Sequence, residues 1–377
     1  MATNIVYWLL VVSSGFYFLV MLVLTIGWFR TKRFNGELIK PFIPVSIVVA
    51  VRNEEINILK LLRSLAQQDY PESNFEVIIV DDHSEDDTKK VVEDFIMLNN
   101  TLKIRLIDAT GEGKKKAISQ AISVSKGQLI ISTDGDCEMG NQWLSRLVAF
   151  YQEARSSMII APVVYHESNR LLSNIFSLEF MSLVASGAGS AGIGLPFMGN
   201  GANLAFSKDV FNSKGQNIGE RYASGEDVFL IQQVLKNKGS RHIQFLKDTE
   251  SIVHTSAPES FSAFFNQRFR WASKAKGYQS LWGIFVAFVV FYFNTMLATT
   301  LIMGISETWL IIVFILFVVF KLLIDIPLLY EFTGFVNRRK LMYLLPLLEF
   351  IYPFYISVSS LVGLFFKYEW KGRKGLR

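Results

Sequence analysis

Four long apolar runs decide what this chain can fold into. Ile5 to Phe29 is apolar almost throughout, long enough to cross a bilayer as a helix. Leu281 to Met303, Trp309 to Tyr330 and Leu341 to Phe366 close the sequence. They raise the hydrophobic share to 51% of 377 residues. The implied class is an integral membrane protein, with transmembrane helices at both ends of a sizeable soluble part. The start, Met-Ala-Thr-Asn, carries no basic side chain, whereas Arg30, Lys32 and Arg33 follow the first run. That asymmetry suits an uncleaved anchor over 1–30, N-terminus outside, with the next domain cytoplasmic. The formal charge of +5 would suit a nucleic-acid binder. However, Lys274, Lys276, Arg338, Arg339, Lys340, Lys371, Arg373 and Lys374 also cluster beside apolar runs. Anionic membrane lipids are therefore the expected partner, and nucleic acid is not. Lys321 and Asp325 lie one turn apart in the third run, and Pro346, Glu349 and Pro353 interrupt the fourth. An interrupted fourth run and a basic tail predict a cytoplasmic C-terminus, although four plain crossings would put it outside.

Between these ends the periodicity alternates. Val45 to Val51, Phe75 to Val80, Lys103 to Ile107, Leu129 to Ile131 and Met158 to Val164 have strand character. Asn57 to Ala66, the stretch around Val91 to Ile96, Ala117 to Ile122 and the stretch from Trp143 to Val148 have helical spacing. Alternation of this kind means an α/β domain with a mostly parallel sheet, its strand ends gathered on one edge. Leu171 to Ala185 is also helical, with a lone Glu179 that suits a structural role, and Gly187 to Gly201 reads as a glycine-rich loop that either cradles an acceptor or only connects, followed by Asn200-Gly-Ala-Asn203.

Polar residues fall on that edge. Arg52-Asn53-Glu54-Glu55 follows the first strand and Asp81-Asp82-His83-Ser84 the second. Ser84 to Asp87 has the spacing of a capping box. Gly111-Glu-Gly113-Lys114-Lys-Lys116 opens a helix, where a phosphate is readily held. Asp134-Gly135-Asp136 ends the fourth strand, and such paired carboxylates suit a hard divalent cation. The single cysteine, Cys137, excludes an intramolecular disulfide, and four histidines share no metal-ligand spacing. A phosphate-binding helix start, a lysine and a carboxylate pair on one edge describe a nucleoside-diphosphate site.

In this order the segments resemble the N-terminal half of family 2 glycosyltransferases. Gly225-Glu226-Asp227 resembles the acidic pair that carries the family's catalytic base, and Gln267-Arg-Phe-Arg270-Trp271 matches its Gln-x-x-Arg-Trp signature. The resemblance implies a GT-A nucleotide-sugar-binding domain over 40–257, an amphipathic interfacial segment over 258–280, and a C-terminal transmembrane region with a basic tail over 281–377. It implies an inverting transfer from a nucleotide-diphosphate sugar, a UDP-sugar favoured, to a lipid or lipid-linked glycan, with Mg²⁺ or Mn²⁺ as cofactor. By the same resemblance Ala50, Arg52, Glu54 and Asp82 line the nucleoside pocket, and Lys114 lies near the base or diphosphate. Asp134 touches the ribose side and, with Asp136, the metal. Asp227 is the base, Gln267 and Arg270 approach the diphosphate, and Glu226 and Trp271 meet the acceptor. Ala50 stands where the family often has proline, and Gly225 where polymerising members have threonine.

Overall fold

The computed structural model describes residues 2–99, 101–212, 226–273, 279–365, 369–370 and 373–374. The chain forms two compact units. One comprises Met1–Arg30, Glu167–Leu195 and Ala257–Trp370, the other Thr31–His166, Pro196–Ser256 and Lys371–Arg377. Glu167–Leu195, inside the span 40–257, thus belongs with the helices.

The first unit is helical. It begins with α1 (Ala2–Arg30), whose only charge, Arg30, sits in the last turn, where a cation complements the helix dipole. In the other unit follow β1 (Val45–Val51), α2 (Ile58–Ala66), β2 (Phe75–Asp81), α3 (Thr88–Leu98), β3 (Ile104–Asp108), α4 (Lys114–Val124) and β4 (Leu129–Asp134). After them come β5 (Glu138–Met139), α5 (Trp143–Ala154), β6 (Met158–Ile160) and β7 (Val163–Tyr165). The chain then enters α6 (Leu171–Gly192) in the helical unit and returns for β8 (Leu204–Ser207), α7 (Lys208–Asn212), α8 (Glu226–Lys238), β9 (Ile243–Phe245) and β10 (Val253–Thr255). The helical unit ends with α9 (Phe261–Ser273), α10 (Leu281–Gly304), α11 (Trp309–Phe335), α12 (Leu345–Phe365) and a short β11 (Glu369–Trp370).

The main sheet has the order β3-β2-β1-β4-β8-β6-β9. Its first four strands are parallel, and β8 runs antiparallel to both β4 and β6. Valines and isoleucines of β1, β2 and β4 are fully buried, as strands covered on both faces require. The strand expected over Met158 to Val164 is two. Pro162 has no N–H to continue a ladder, so the chain breaks there: β6 stays in the main sheet, and β7 joins β10 and β5 in a second one.

In the helical unit α1 packs against α6, α10 and α11, and α12 against α9 and α10. The expected loop over Gly187 to Gly201 is corrected, because its first part is helix to Gly192. The reason is close packing. A Cβ on Gly189 would lie 2.2 Å from the Leu24 carbonyl oxygen, and one on Gly27 would lie 1.8 Å from the Gly189 oxygen. Glycine on both sides lets two backbones touch, as small residues do between membrane helices. Among the described residues, five helices are long and apolar enough to cross a membrane, α6 being the one the four runs did not include.

Candidate active site

The site is built where β1, β2 and β4 end. After β1 the chain turns at Asn53 (φ 51°) and after β2 at His83 (φ 58°), and the two loops bond to each other. Arg52, buried, donates from Nη1 to the carbonyls of Asp82 (3.0 Å) and His83 (2.6 Å), and from Nη2 to Glu85 (2.7 Å). The Asn53 N–H donates to Ser84 Oγ, and the Glu85 N–H returns to Asn53 Oδ1. The N–H groups of Glu54 and Glu55 go to Thr88 Oγ1 and Asp86 Oδ2. The capping box expected over Ser84 to Asp87 is not formed, since Ser84 Oγ accepts from Asn53 and the Asp87 N–H donates to Glu55 Oε2 in the neighbouring loop. Burial opposes ionisation of Asp86, but donors from Thr88 and Glu55 outweigh it and hold its carboxyl below the ordinary range.

Asp82, 1% exposed, accepts the Gly113 N–H on both carboxylate oxygens, at 3.0 and 3.1 Å. Gly113 has φ 99°, which suits glycine alone, and it starts α4 there. The next residue, Lys114, reaches Asp134 Oδ1 at 2.6 Å. The Gly-Lys start of α4 is thereby held between the ends of β2 and β4. Ala50 pairs with Val80 and Asp134 in the ladder beneath. Gly135 lets this turn pack closely on the end of β1, for a Cβ there would lie 3.0 Å from Glu54 Cγ and 3.1 Å from Val51 Cγ1. Asp136 accepts from Thr255 Oγ1 at 2.8 Å. Burial pushes the Cys137 thiol well up, and the charges of Asp136 and Asp134 push it further. Two carboxylates on one turn fit a hard divalent cation, which prefers oxygen donors and fills its shell with phosphate oxygens.

Asp227 lines a largely apolar cleft together with Lys115, Ile118, Ile122, Ser132, Leu204 and Phe206. Lys115, Ile118 and Ile122 stand on α4, Ser132 on β4 and Phe206 on β8, so the cleft runs between α4 and the face of the sheet. Asp227 Oδ1 accepts the Val228 N–H at the start of α8. Gly225 and the Glu226 side chain lie outside the described residues, as do Lys274 and Lys276. Asn203, just after the glycine-rich stretch that ends at Gly201, is fully buried. It accepts from Trp143 Nε1 and donates to the carbonyls of Pro162 and Ser251, which joins both sheets. Gln267, Arg270 and Trp271 lie on α9 in the helical unit. Thr255 and Glu85 carried no signal in the sequence, because their partners lie 119 and 33 positions away.

A parallel sheet that ends in a carboxylate pair beside a Gly-Lys helix start defines a GT-A-like, nucleotide-sugar-type α/β domain. Comparison with known proteins agrees. The profile of glycosyl transferase family 2 matches residues 46–205, and that of glycosyl transferase family group 2 matches 129–324. The chain belongs to glycosyltransferase family 2. Glycosyltransferase AglE of Haloferax volcanii is 38% identical over 105 residues, 28% of this chain and 34% of that protein. Beta-monoglucosyldiacylglycerol synthase of Trichormus variabilis is 36% identical over 126 residues, 33% of this chain and 26% of that one. The matches thus span about a third or less of the length of these two relatives. The structure of mannosyltransferase PcManGT from Pyrobaculum calidifontis, in complex with GDP-Man and Mn²⁺, superposes with a TM-score of 0.62 at 13% identity, covering 92% of this chain and 99% of that one.

Proposed function

We propose that this chain is a membrane-bound, inverting glycosyltransferase that moves a sugar from a nucleoside-diphosphate donor to a lipid or lipid-linked glycan. The observation that carries this is the meeting of Asp82, Gly113, Lys114, Asp134 and Asp136 at one sheet edge, with Asp227 at the start of α8 in the same unit. The family and the similarity to a beta-monoglucosyldiacylglycerol synthase support the acceptor class.

Asp227 takes the proton of the acceptor hydroxyl as that oxygen attacks the anomeric carbon. The bond from that carbon to the phosphate oxygen breaks, and the nucleoside diphosphate departs from the opposite face, which inverts the centre. A base of this kind is typically worth about 10² to 10⁴ in rate. Arg52 braces the loops that carry Glu54 and Asp82, so that the nucleoside meets a preformed wall beside Ala50. Lys114 offers a cation to the diphosphate. Asp134 and Asp136 would hold Mg²⁺ or Mn²⁺, which when bound supplies positive charge to the departing diphosphate. Glu226 keeps its proposed place toward the acceptor. The roles of Gln267, Arg270 and Trp271 rest on the sequence signature.

The test is a donor screen with purified protein in membrane lipid, using UDP-glucose, UDP-N-acetylglucosamine and GDP-mannose. Released nucleotide and labelled lipid are both read. Transfer of label to lipid from one donor is the expected result, and no turnover of any donor in the presence of Mn²⁺ overturns the proposal.

A further inference from the structure

Glu179 is the one charged residue of α6 and is buried in an otherwise apolar helix. Its partner is Arg268 of α9, itself 4% exposed. Nε of the arginine donates to Oε1 of Glu179 at 3.0 Å, and Nη2 donates to Oε2. Tyr355 of α12 donates its hydroxyl to the same Oε1 at 3.1 Å. The third nitrogen of the guanidinium, Nη1, donates to Oε1 of Gln267 at 2.7 Å. The planar group lies 4.2 Å from the ring centre of Trp271 and 4.5 Å from that of Phe264. Three helices therefore fix one guanidinium, and that guanidinium touches two residues of the Gln-Arg-Phe-Arg-Trp segment.

We propose that Glu179, Arg268 and Tyr355 are positioning residues that set the orientation of Gln267 and Trp271 for substrate. The inference rests on the reading of Gln267 and Trp271 as substrate contacts given above. A guanidinium can only donate, so it fixes the amide of Gln267 with its oxygen toward Arg268. The amide NH₂, a donor suited to a phosphate or sugar oxygen, is thereby turned away from the pair. The indole is held at the same time, because cation and ring face attract. Desolvation makes a buried ion pair a poor source of stability, and such pairs serve better to select one arrangement. The fork of Glu179 and Arg268 selects the arrangement in which the signature residues are set before substrate arrives.

The test uses full-length protein in lipid nanodiscs, with the donor that the screen identifies. Glu179→Gln and Tyr355→Phe are measured beside Gln267→Ala and Trp271→Phe, each also combined with Glu179→Gln. Glu179→Gln is expected to lower kcat/KM by on the order of tenfold, and Tyr355→Phe by about threefold. In the Gln267→Ala background the further loss from Glu179→Gln is expected to shrink to less than about twofold, since interacting residues are non-additive. Independently of turnover, 5-fluorotryptophan labelling assigns the Trp271 resonance through Trp271→Phe. Glu179→Gln is expected to shift or split that resonance. If Glu179→Gln does not fold, Tyr355→Phe carries the same comparisons. An unmoved Trp271 resonance, or additive losses in the double variants, overturns the inference. Full activity of both Gln267→Ala and Trp271→Phe overturns instead the reading on which it rests.

Discussion

Asp227→Asn keeps the shape of the side chain and removes its basicity. Nucleotide-sugar binding should persist while transfer slows by on the order of 10² or more, measured as a fall in kcat with an unchanged donor Kd. A variant within a few-fold of the parent would place the base elsewhere. Excess chelator should abolish transfer, and Mn²⁺ or Mg²⁺ should restore it, if Asp134 and Asp136 hold the cation. Cys137 is buried, with its thiol pushed up, so iodoacetamide at pH 8 should leave it unlabelled until the protein unfolds. Rapid labelling of the native protein, read by mass spectrometry, would contradict the packing at the end of β4. Asp134, Asp136 and Lys114 were legible in the sequence because each sits at an element boundary that periodicity locates. The bracing by Arg52 was not, since two of its acceptors are main-chain carbonyls across a loop, and carbonyls carry no residue identity.

Among the elements, the parallel half of the sheet was legible from its β-branched runs. Met158 to Val164 was legible as strand but not as two strands, and β9 and β10, with three residues each, are too short to show a period. The glycines of α6 misled for a physical reason: the residue that frees a loop is also the residue that lets two helices touch. Gly189→Val should therefore force α6 from α1. Overpacking of this kind typically costs about 1–3 kcal/mol, which thermal unfolding in nanodiscs would register, and an unchanged midpoint would argue against the contact. Lys321, Asp325 and Glu349 stood out in the sequence as charges in apolar runs, and α11 and α12 bring them together. Lys321 Nζ pairs with Asp325 at 2.7 Å and also with Glu349, while Tyr17 of α1 donates to Asp325 at 2.8 Å. Lys321→Met would strand two buried carboxylates, a loss typically of about 3–5 kcal/mol when one partner of a buried pair is removed.

For the whole molecule the chain path bears on membrane topology. The strands on either side of α6 belong to one unit, and β4 and β6, which precede it, pair with β8, which follows it. The chain thus leaves that unit for α6, one of the five helices long and apolar enough to cross a membrane, and returns to it. Tyr7 contacts Trp309 (6.0 Å between ring centres) and Trp28 contacts Phe335 (5.4 Å), so α1 and α11 run parallel. Between them in sequence lies α10, and all three are long and apolar enough to cross a membrane. Beyond α11, α12 packs along α9, and β11 at its far end lies against α9. The basic tail, with Lys367, Lys371, Arg373, Lys374 and Arg377, favours the cytoplasmic side, so a reporter fused after Arg377 should share the side of one inserted in the catalytic domain; opposite signals would refute this. Polar side chains are sparse in the apolar runs, so labelled product should be short by size analysis, and a high-molecular-weight polymer made by the purified protein would contradict this.

The place of α6 also has a consequence for biogenesis. The ribosome completes β3, β2, β1 and β4 first, and these can pair as they emerge. The partner of β4, however, is encoded beyond an apolar helix of 22 residues. Until residue 207 has left the exit tunnel, β4 remains an open edge, the kind of surface that recruits other strands. Docking of α6 and closure of that edge thus become successive steps of one maturation event, and a nascent chain denied lipid at that moment would be aggregation-prone on two surfaces at once.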